Sequence, residues 1–230
     1  MAEIGRTRVG ASTHLAANGG INEPAAIASL RAAILECLED DCANVVLDFS
    51  RVPLINSEGV EMLLDVQEEL AAAGGSLSAA NLNAIIQDIF YLTKLDERID
   101  LLDHSWADQD RGDRSGIRAT PKRLGELFLE RGLVDEEQIE KALALQEERG
   151  RRMAQIMVDE GWLAEKDLLT CLAIQLSLPL VWLRSGIVDP DVARSLPSDI
   201  ARRLGVVPIF RVRDVLCVAT NDPQSMPMIE

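Results

Sequence analysis

Two arginines and two glutamines recur at equal spacing in the second half of the chain. Arg123 opens and Gln146 closes a stretch of 24 residues, and Arg152 and Gln175 bound a second stretch of 24. The stretches read RLGELFLERGLVDEEQIEKALALQ and RMAQIMVDEGWLAEKDLLTCLAIQ, offset by 29 residues with five residues between them. An apolar core demands neither side chain at the same place in both copies. A planar guanidinium can donate two parallel hydrogen bonds to a guanine edge, stack on a base, or clamp phosphate. A glutamine amide both donates and accepts. Gly125, without a Cβ, lets backbone approach a ligand closely. Two similar half-sites in tandem suit a ligand with two similar halves. Arg118, Lys122, Arg123, Arg149, Arg151 and Arg152 gather near the two openings, where phosphates would be neutralised.

A second place with chemical content is the turn Leu54-Ile55-Asn56-Ser57-Glu58-Gly59. A serine ahead of a helix either caps it, its hydroxyl accepting a backbone N–H, or accepts a phosphoryl group where free N–H groups and the helix dipole favour an anion. Little else points to chemistry. His14 and His104 are the only histidines, and neither pairs with a Ser, Cys or carboxylate motif. Cys37, Cys42, Cys171 and Cys217 have neither metal-ligand spacing nor a disulfide framework, which places the chain in a reducing cytoplasm. The sequence implies no metal, no cofactor and no catalytic constellation. No G-x-x-x-x-G-K-[ST] phosphate loop occurs.

The elements that must position these residues are legible. Pro24–Leu38 predicts a helix opened by proline, with Ile27, Leu30, Ile34 and Leu38 at helical spacing. Asn44–Phe49 is a short β-branched run that reads as a strand, and Ser57–Ala73 as an amphipathic helix ended by Gly74-Gly75. Ser76–Leu82, Ala84–Leu92 and Ile99–Leu102 continue as strand, helix and strand, giving a mainly parallel sheet covered by helices. The first 20 residues are weakly patterned. Each 24-residue stretch reads as helix, glycine stop and second helix, with Gly132 and Gly161 as left-handed terminators. Asp135-Glu136-Glu137-Gln138 fits a capping box, whereas Ala164 leaves the equivalent start weaker. Ile139, Ala142 and Leu143 line one side of the later helix, as do Leu168, Cys171 and Leu172. Trp162 reads as packing. Val206–Phe210 and Val215–Ala219 read as a trailing β-hairpin.

Charge divides the chain in the same way. Its 230 residues carry a net charge of −15 with 47% hydrophobic content, which excludes wholesale disorder. Residues 1–110 hold 6 basic and 19 acidic side chains, whereas 111–230 hold 17 and 19. The break falls at the polar stretch HSWADQDRGDRSGIRAT, so the expected organisation is a domain over 1–103, a linker over 104–117 and a domain over 118–230. The acidic balance argues against DNA as partner, no apolar run reaches the length of a membrane span, and the start has no secretory signal.

Residues 8–103 resemble the STAS domain of anti-sigma-factor antagonists, through VVLDFSRVPLINSEGVEMLL, the AAAGGSLS return and IIQDIFYLTKLDERI. In that family the turn reads Asp-Ser-Ser-Gly and its first serine is phosphorylated by a partner kinase. Ser57 aligns with that serine, while Asn56 and Glu58 replace its neighbours and Asn22 replaces a second acidic position. Residues 118–223 resemble the MshEN domain of type II secretion and type IV pilus assembly ATPases, whose duplicated 24-residue motif binds the bacterial second messenger cyclic di-GMP. The resemblance implies one half-site of Arg123, Leu124, Gly125 and Gln146 and another of Arg152, Met153, Ala154 and Gln175. Ala154 for Gly is the departure that bears on ligand approach. The implied fold class is an α/β STAS-like domain plus a mainly α-helical MshEN-like domain with a small trailing β-hairpin. The implied function is that of a non-enzymatic bacterial regulator. It would bind cyclic di-GMP and signal to a kinase, an anti-sigma-type protein or a protein of the secretion or pilus machinery. Two alternatives stay open: a nucleotide-independent STAS interaction module whose repeat serves for docking, and a repeat that binds ATP.

Overall fold

The computed structural model describes residues 3–40, 42–102 and 122–223. The stretch read as a linker, 104–117, and Arg118 lie outside the described residues. By contact the chain divides into two compact units, one drawn from Met1–Asp110 and Val181–Glu230, the other from Arg111–Leu180.

The first unit is built on a five-stranded sheet in sequential order, β1 (Glu3–Val9), β2 (Ser12–Asn18), β3 (Asn44–Arg51), β4 (Ser76–Ala80) and β5 (Asp100–Leu101). β1 and β2 form an antiparallel hairpin, and β2 to β5 run parallel. The helices α1 (Pro24–Glu39), α2 (Ser57–Ala72) and α3 (Ala84–Thr93) make the crossovers that parallel pairing requires. Leu15, Leu47, Phe49 and Leu77 from the strands meet Ile34, Leu63, Leu70, Ile86 and Phe90 from the helices in one core. Phe49 and Phe90 pack edge to face with ring centroids 5.5 Å apart, an arrangement worth about 0.5–1.5 kcal/mol beyond buried area. Gln67 reaches from α2 to accept the Leu77 amide at 2.6 Å. A glycine is required at 59: a Cβ there would lie 2.4 Å from the Ile21 carbonyl oxygen and 2.7 Å from Ile55 Cγ1.

The segment after Val181 belongs to this unit. It forms α8 (Pro190–Arg194), α9 (Ser198–Leu204) and the antiparallel hairpin of β6 (Val206–Val212) and β7 (Val215–Thr220). Ile187, Ile209 and Phe210, each at most 2% exposed, join the same core as the five-stranded sheet, and β6 packs on α2.

The second unit is all helical. The first 24-residue stretch folds as α4 (Leu124–Glu130) and α5 (Glu136–Arg149), the second as α6 (Met153–Asp159) and α7 (Glu165–Leu176). Gly132 and Gly161 have φ of 63° and 72°, the left-handed conformation that ends each first helix. Asp135 accepts the Gln138 amide at 2.8 Å while Gln138 Oε1 accepts the Asp135 amide at 3.0 Å, completing the capping box. Ala164, the equivalent residue, makes no side-chain cap. α5 packs on α6 and α4 on α7, so each copy supplies one helix to each pairing. Phe128, Ala142, Met157, Cys171 and Leu172 are buried between them, with Trp162 packed against the cluster. Leu143 departs from expectation. It is 48% exposed, whereas its counterpart Leu172 is 9% exposed, so only the second copy buries that position.

Candidate functional site

Arg123 and Arg152 occupy equivalent places, each the residue immediately before a short helix. Both have extended backbone there, with φ of −64° and −66°. The Arg123 amide donates to Glu126 Oε2 at 3.1 Å, which fixes the turn and leaves the guanidinium exposed. The two openings face one another across the repeat. A Cβ on Gly125 would meet Met153 Cε at 3.8 Å and Ile139 Cδ1 at 3.6 Å. These are ordinary contacts, so neither the backbone nor the packing of the helices demands glycine at 125. Ala154, its counterpart, is 9% exposed with its methyl in the core between the helices.

The closing residues are less alike. Gln146 is exposed near the end of α5. Gln175 is half-buried, and its Nε2 donates to the Lys122 carbonyl oxygen at 3.0 Å. The end of the second copy is thereby tied to the residue preceding the first.

The basic residues gathered near the openings are largely spoken for. Lys122 pairs with Glu130 at 2.7 Å and Arg151 with Asp159 at 2.5 Å. These pairs occupy identical positions in the two copies, a symmetry that the sequence alignment did not bring out. Arg149 pairs with Glu160 at 2.8 Å. Such half-exposed pairs contribute up to about 1 kcal/mol each, and they set carboxylates beside the basic residues gathered there.

The Ser57 turn has a different surrounding from the one predicted. The cap of α2 is Asn56, whose Oδ1 accepts the Gly59 amide at 3.0 Å. Ser57 is instead the first helical residue and is buried, at 7% exposure. Its hydroxyl accepts the Arg211 amide N–H at 3.0 Å, and its own amide donates to Asp189 Oδ2 at 2.9 Å. The Asn56 side chain also donates to the Asn22 carbonyl at 3.3 Å, so both positions noted beside Ser57 lie at this turn. Asp189 is a 5% exposed carboxylate that the sequence reading passed over. Its Oδ1 accepts the Asp191 amide at 3.0 Å and so caps α8, while Oδ2 serves α2. Burial pushes the Asp189 carboxyl up. The hydrogen bonds from Ser57, Asp191 and Val192 outweigh that and hold it below the usual carboxylate range. The Asp-Pro pair at 189–190 was a readable helix start; nothing local pointed to a partner 132 residues away.

Residues 4–103 match the family described as Mlab, STAS domain, and residues 176–230 match the MshEN domain. The chain carries a STAS domain followed by an MshEN domain. The MshEN match begins where α7 ends, so it takes in the trailing segment that packs on the STAS core and leaves the two 24-residue stretches ahead of it. The type IV pilus assembly ATPase PilB of Myxococcus xanthus is 33% identical over 104 residues, 45% of this chain and 18% of that protein. PilB of Thermus thermophilus is 33% identical over 87 residues, 38% of this chain and 10% of that protein. The chain therefore spans less than a fifth of the length of these relatives. The structure of MshE with cdg aligns at 45% identity over 45% of this chain and 74% of that one, with a TM-score of 0.42. Among the described residues no group of His, Cys, Asp and Glu could hold a metal ion, and no helix is long and apolar enough to cross a membrane.

Proposed function

We propose that this chain is a cytoplasmic signalling protein without catalytic activity of its own, which binds cyclic di-GMP across its helical repeat. Arg123, Leu124, Gly125 and Gln146 form one half-site, and Arg152, Met153, Ala154 and Gln175 the other. The STAS domain, read over 1–103 and joined through 104–117 to the MshEN domain over 118–230, carries the signal to a protein partner. Ser57 is the residue at which it would take a phosphoryl group. The partner is a kinase or anti-sigma-type protein, or a component of the pilus machinery to which the PilB relatives belong.

The observation that carries this reading is the pairing of the two 24-residue copies. Each contributes the same helix, the same pre-helical arginine and the same flanking ion pair, and their openings meet at Gly125 and Met153. A ligand with two like halves is the natural complement of such a surface. One observation favours the reading in which the repeat is a docking fold independent of nucleotide. The Gln175 amide is already bonded to Lys122, and the Ala154 methyl is packed inside.

Calorimetric titration of cyclic di-GMP into the whole chain, with ATP and GTP as controls, separates the two. Saturable heat is expected, weakened roughly 5- to 150-fold in Arg123→Ala. That is the factor carried by the about 1–3 kcal/mol of one bidentate base contact. An absence of heat and of thermal stabilisation at high ligand refutes the reading, and heat with ATP alone transfers the site to that nucleotide.

A further inference from the structure

The trailing segment follows a single stripe of α2. The Arg211 amide bonds Ser57 Oγ, and two residues later the Arg213 amide bonds Glu61 Oε1 at 2.5 Å. Two residues of strand advance about 6.6 Å and four residues of helix about 6 Å, so the end of β6 keeps step with the helix. The Arg213 guanidinium then reaches Glu68 at 2.8 Å and Asp65 at 3.4 Å. Arg213 has a φ of 54°, the left-handed conformation that a two-residue hairpin loop takes at its first position. At the other end of the stripe, Asp189 places its buried carboxylate on the first amide of α2. An anion attached to Ser57 Oγ would be received by that same helix end. The carboxylate of Asp189 already stands there.

We infer that the segment from Ile187 to Arg213 is an intramolecular cover of the Ser57 surface, and that negative charge on Ser57 and the docked Asp189 carboxylate exclude one another. The site is closed to a protein partner while the segment is in place. Charge added at Ser57 opens it, because two anions cannot share one buried helix end without a counter-charge. The inference does not depend on nucleotide binding, and it stands or falls apart from the ligand assignment.

The test is hydrogen exchange on the whole chain in four forms: wild type, Ser57→Asp, Ser57→Asn and Ser57→Asp with Asp189→Asn. Asparagine matches aspartate in size without its charge. Ser57→Asp is expected to speed exchange in β6 by about tenfold or more, the factor that 1.4 kcal/mol carries, while β3 and α1 keep their protection. Ser57→Asn should speed it much less, and the double variant should return toward the Ser57→Asn level. Equal opening in Ser57→Asp and Ser57→Asn assigns the effect to bulk and overturns the inference. So does an unchanged β6 in Ser57→Asp, a failure of Asp189→Asn to restore protection, or a loss of protection in β3 as large as that in β6.

Discussion

Replacing Gly125 by alanine separates what the helices need from what a ligand needs. Gly125 is the second residue of α4 and has ordinary helical backbone. Alanine at a helix position is favoured over glycine by roughly 0.5–1 kcal/mol, because glycine gives up more conformational freedom on folding. The added Cβ meets Ile139 Cδ1 at 3.6 Å and Met153 Cε at 3.8 Å, two contacts of about 0.1–0.2 kcal/mol each. The first-turn position trims the propensity gain, so the net expectation is a stabilisation of about 0.5–1 kcal/mol. Hydrogen exchange of the amides in α4 to α7 should slow by roughly two- to fivefold, at 1.4 kcal/mol per factor of ten. The same methyl stands between the two openings of the repeat. If cyclic di-GMP approaches backbone there, the variant should bind it about tenfold or more weakly, the cost of crowding a fitted contact being about 1–3 kcal/mol. A more stable helical unit with weakened binding is the expected pair of results. Destabilised helices would refute the packing argument, and unchanged affinity in a stabilised variant would refute the assignment of Gly125 to the ligand.

Phe90→Ala should destabilise the STAS unit by about 3–5 kcal/mol, read as a lower denaturant midpoint, because the fully buried ring leaves a cavity beside Phe49. Asp135→Ala should cost about 1 kcal/mol by removing the cap of α5, and Ala164→Asp should gain a comparable amount at the uncapped start of α7; chemical denaturation checks both. The pH dependence follows from the depressed carboxyl of Asp189. A group whose folded pKa lies below its unfolded value of about 4 contributes its full stability above that value. That contribution is lost as pH falls through the lower folded pKa. Exchange protection of β6 should therefore hold from neutral pH down to about 4 and fall below it, and Asp189→Asn should flatten the fall.

Much of the fold could be read because its signals are local. Pro24 and Gly74-Gly75 punctuate helices, and the predicted strand and helix boundaries along 24–102 fall within a few residues of those observed. The repeat was legible because the glycines at 132 and 161 and the bounding Arg and Gln residues recur at one offset. The β1–β2 hairpin was obscured for a physical reason. β2 does alternate, with Thr13, Leu15 and Ala17 buried, but threonine and alanine at two of the three inward places weaken the apolar signal. Leu143 was misread because helical spacing identifies a face and not whether anything covers it. In the candidate site, the residue types of the repeat were visible, but the consumption of Lys122, Arg149 and Arg151 in ion pairs was not. The surroundings of Ser57 were the least accessible. Asp189 was passed over, although Asp-Pro is a readable helix start, and Phe210 was read only as part of the trailing hairpin. Their second roles come from a contact between residues more than a hundred positions apart, which no pattern within a window can carry.

The separation of Ser57 from Asp189, 132 residues, also has a meaning in time. At the roughly 5–20 residues per second of protein synthesis, Ser57 leaves the ribosome about 7–26 s before the carboxylate that covers it. Throughout that interval the start of α2 meets the cell without its cover. An enzyme or partner that acts on nascent chains would find an open serine on every molecule, whereas one that acts on the finished protein would find it closed.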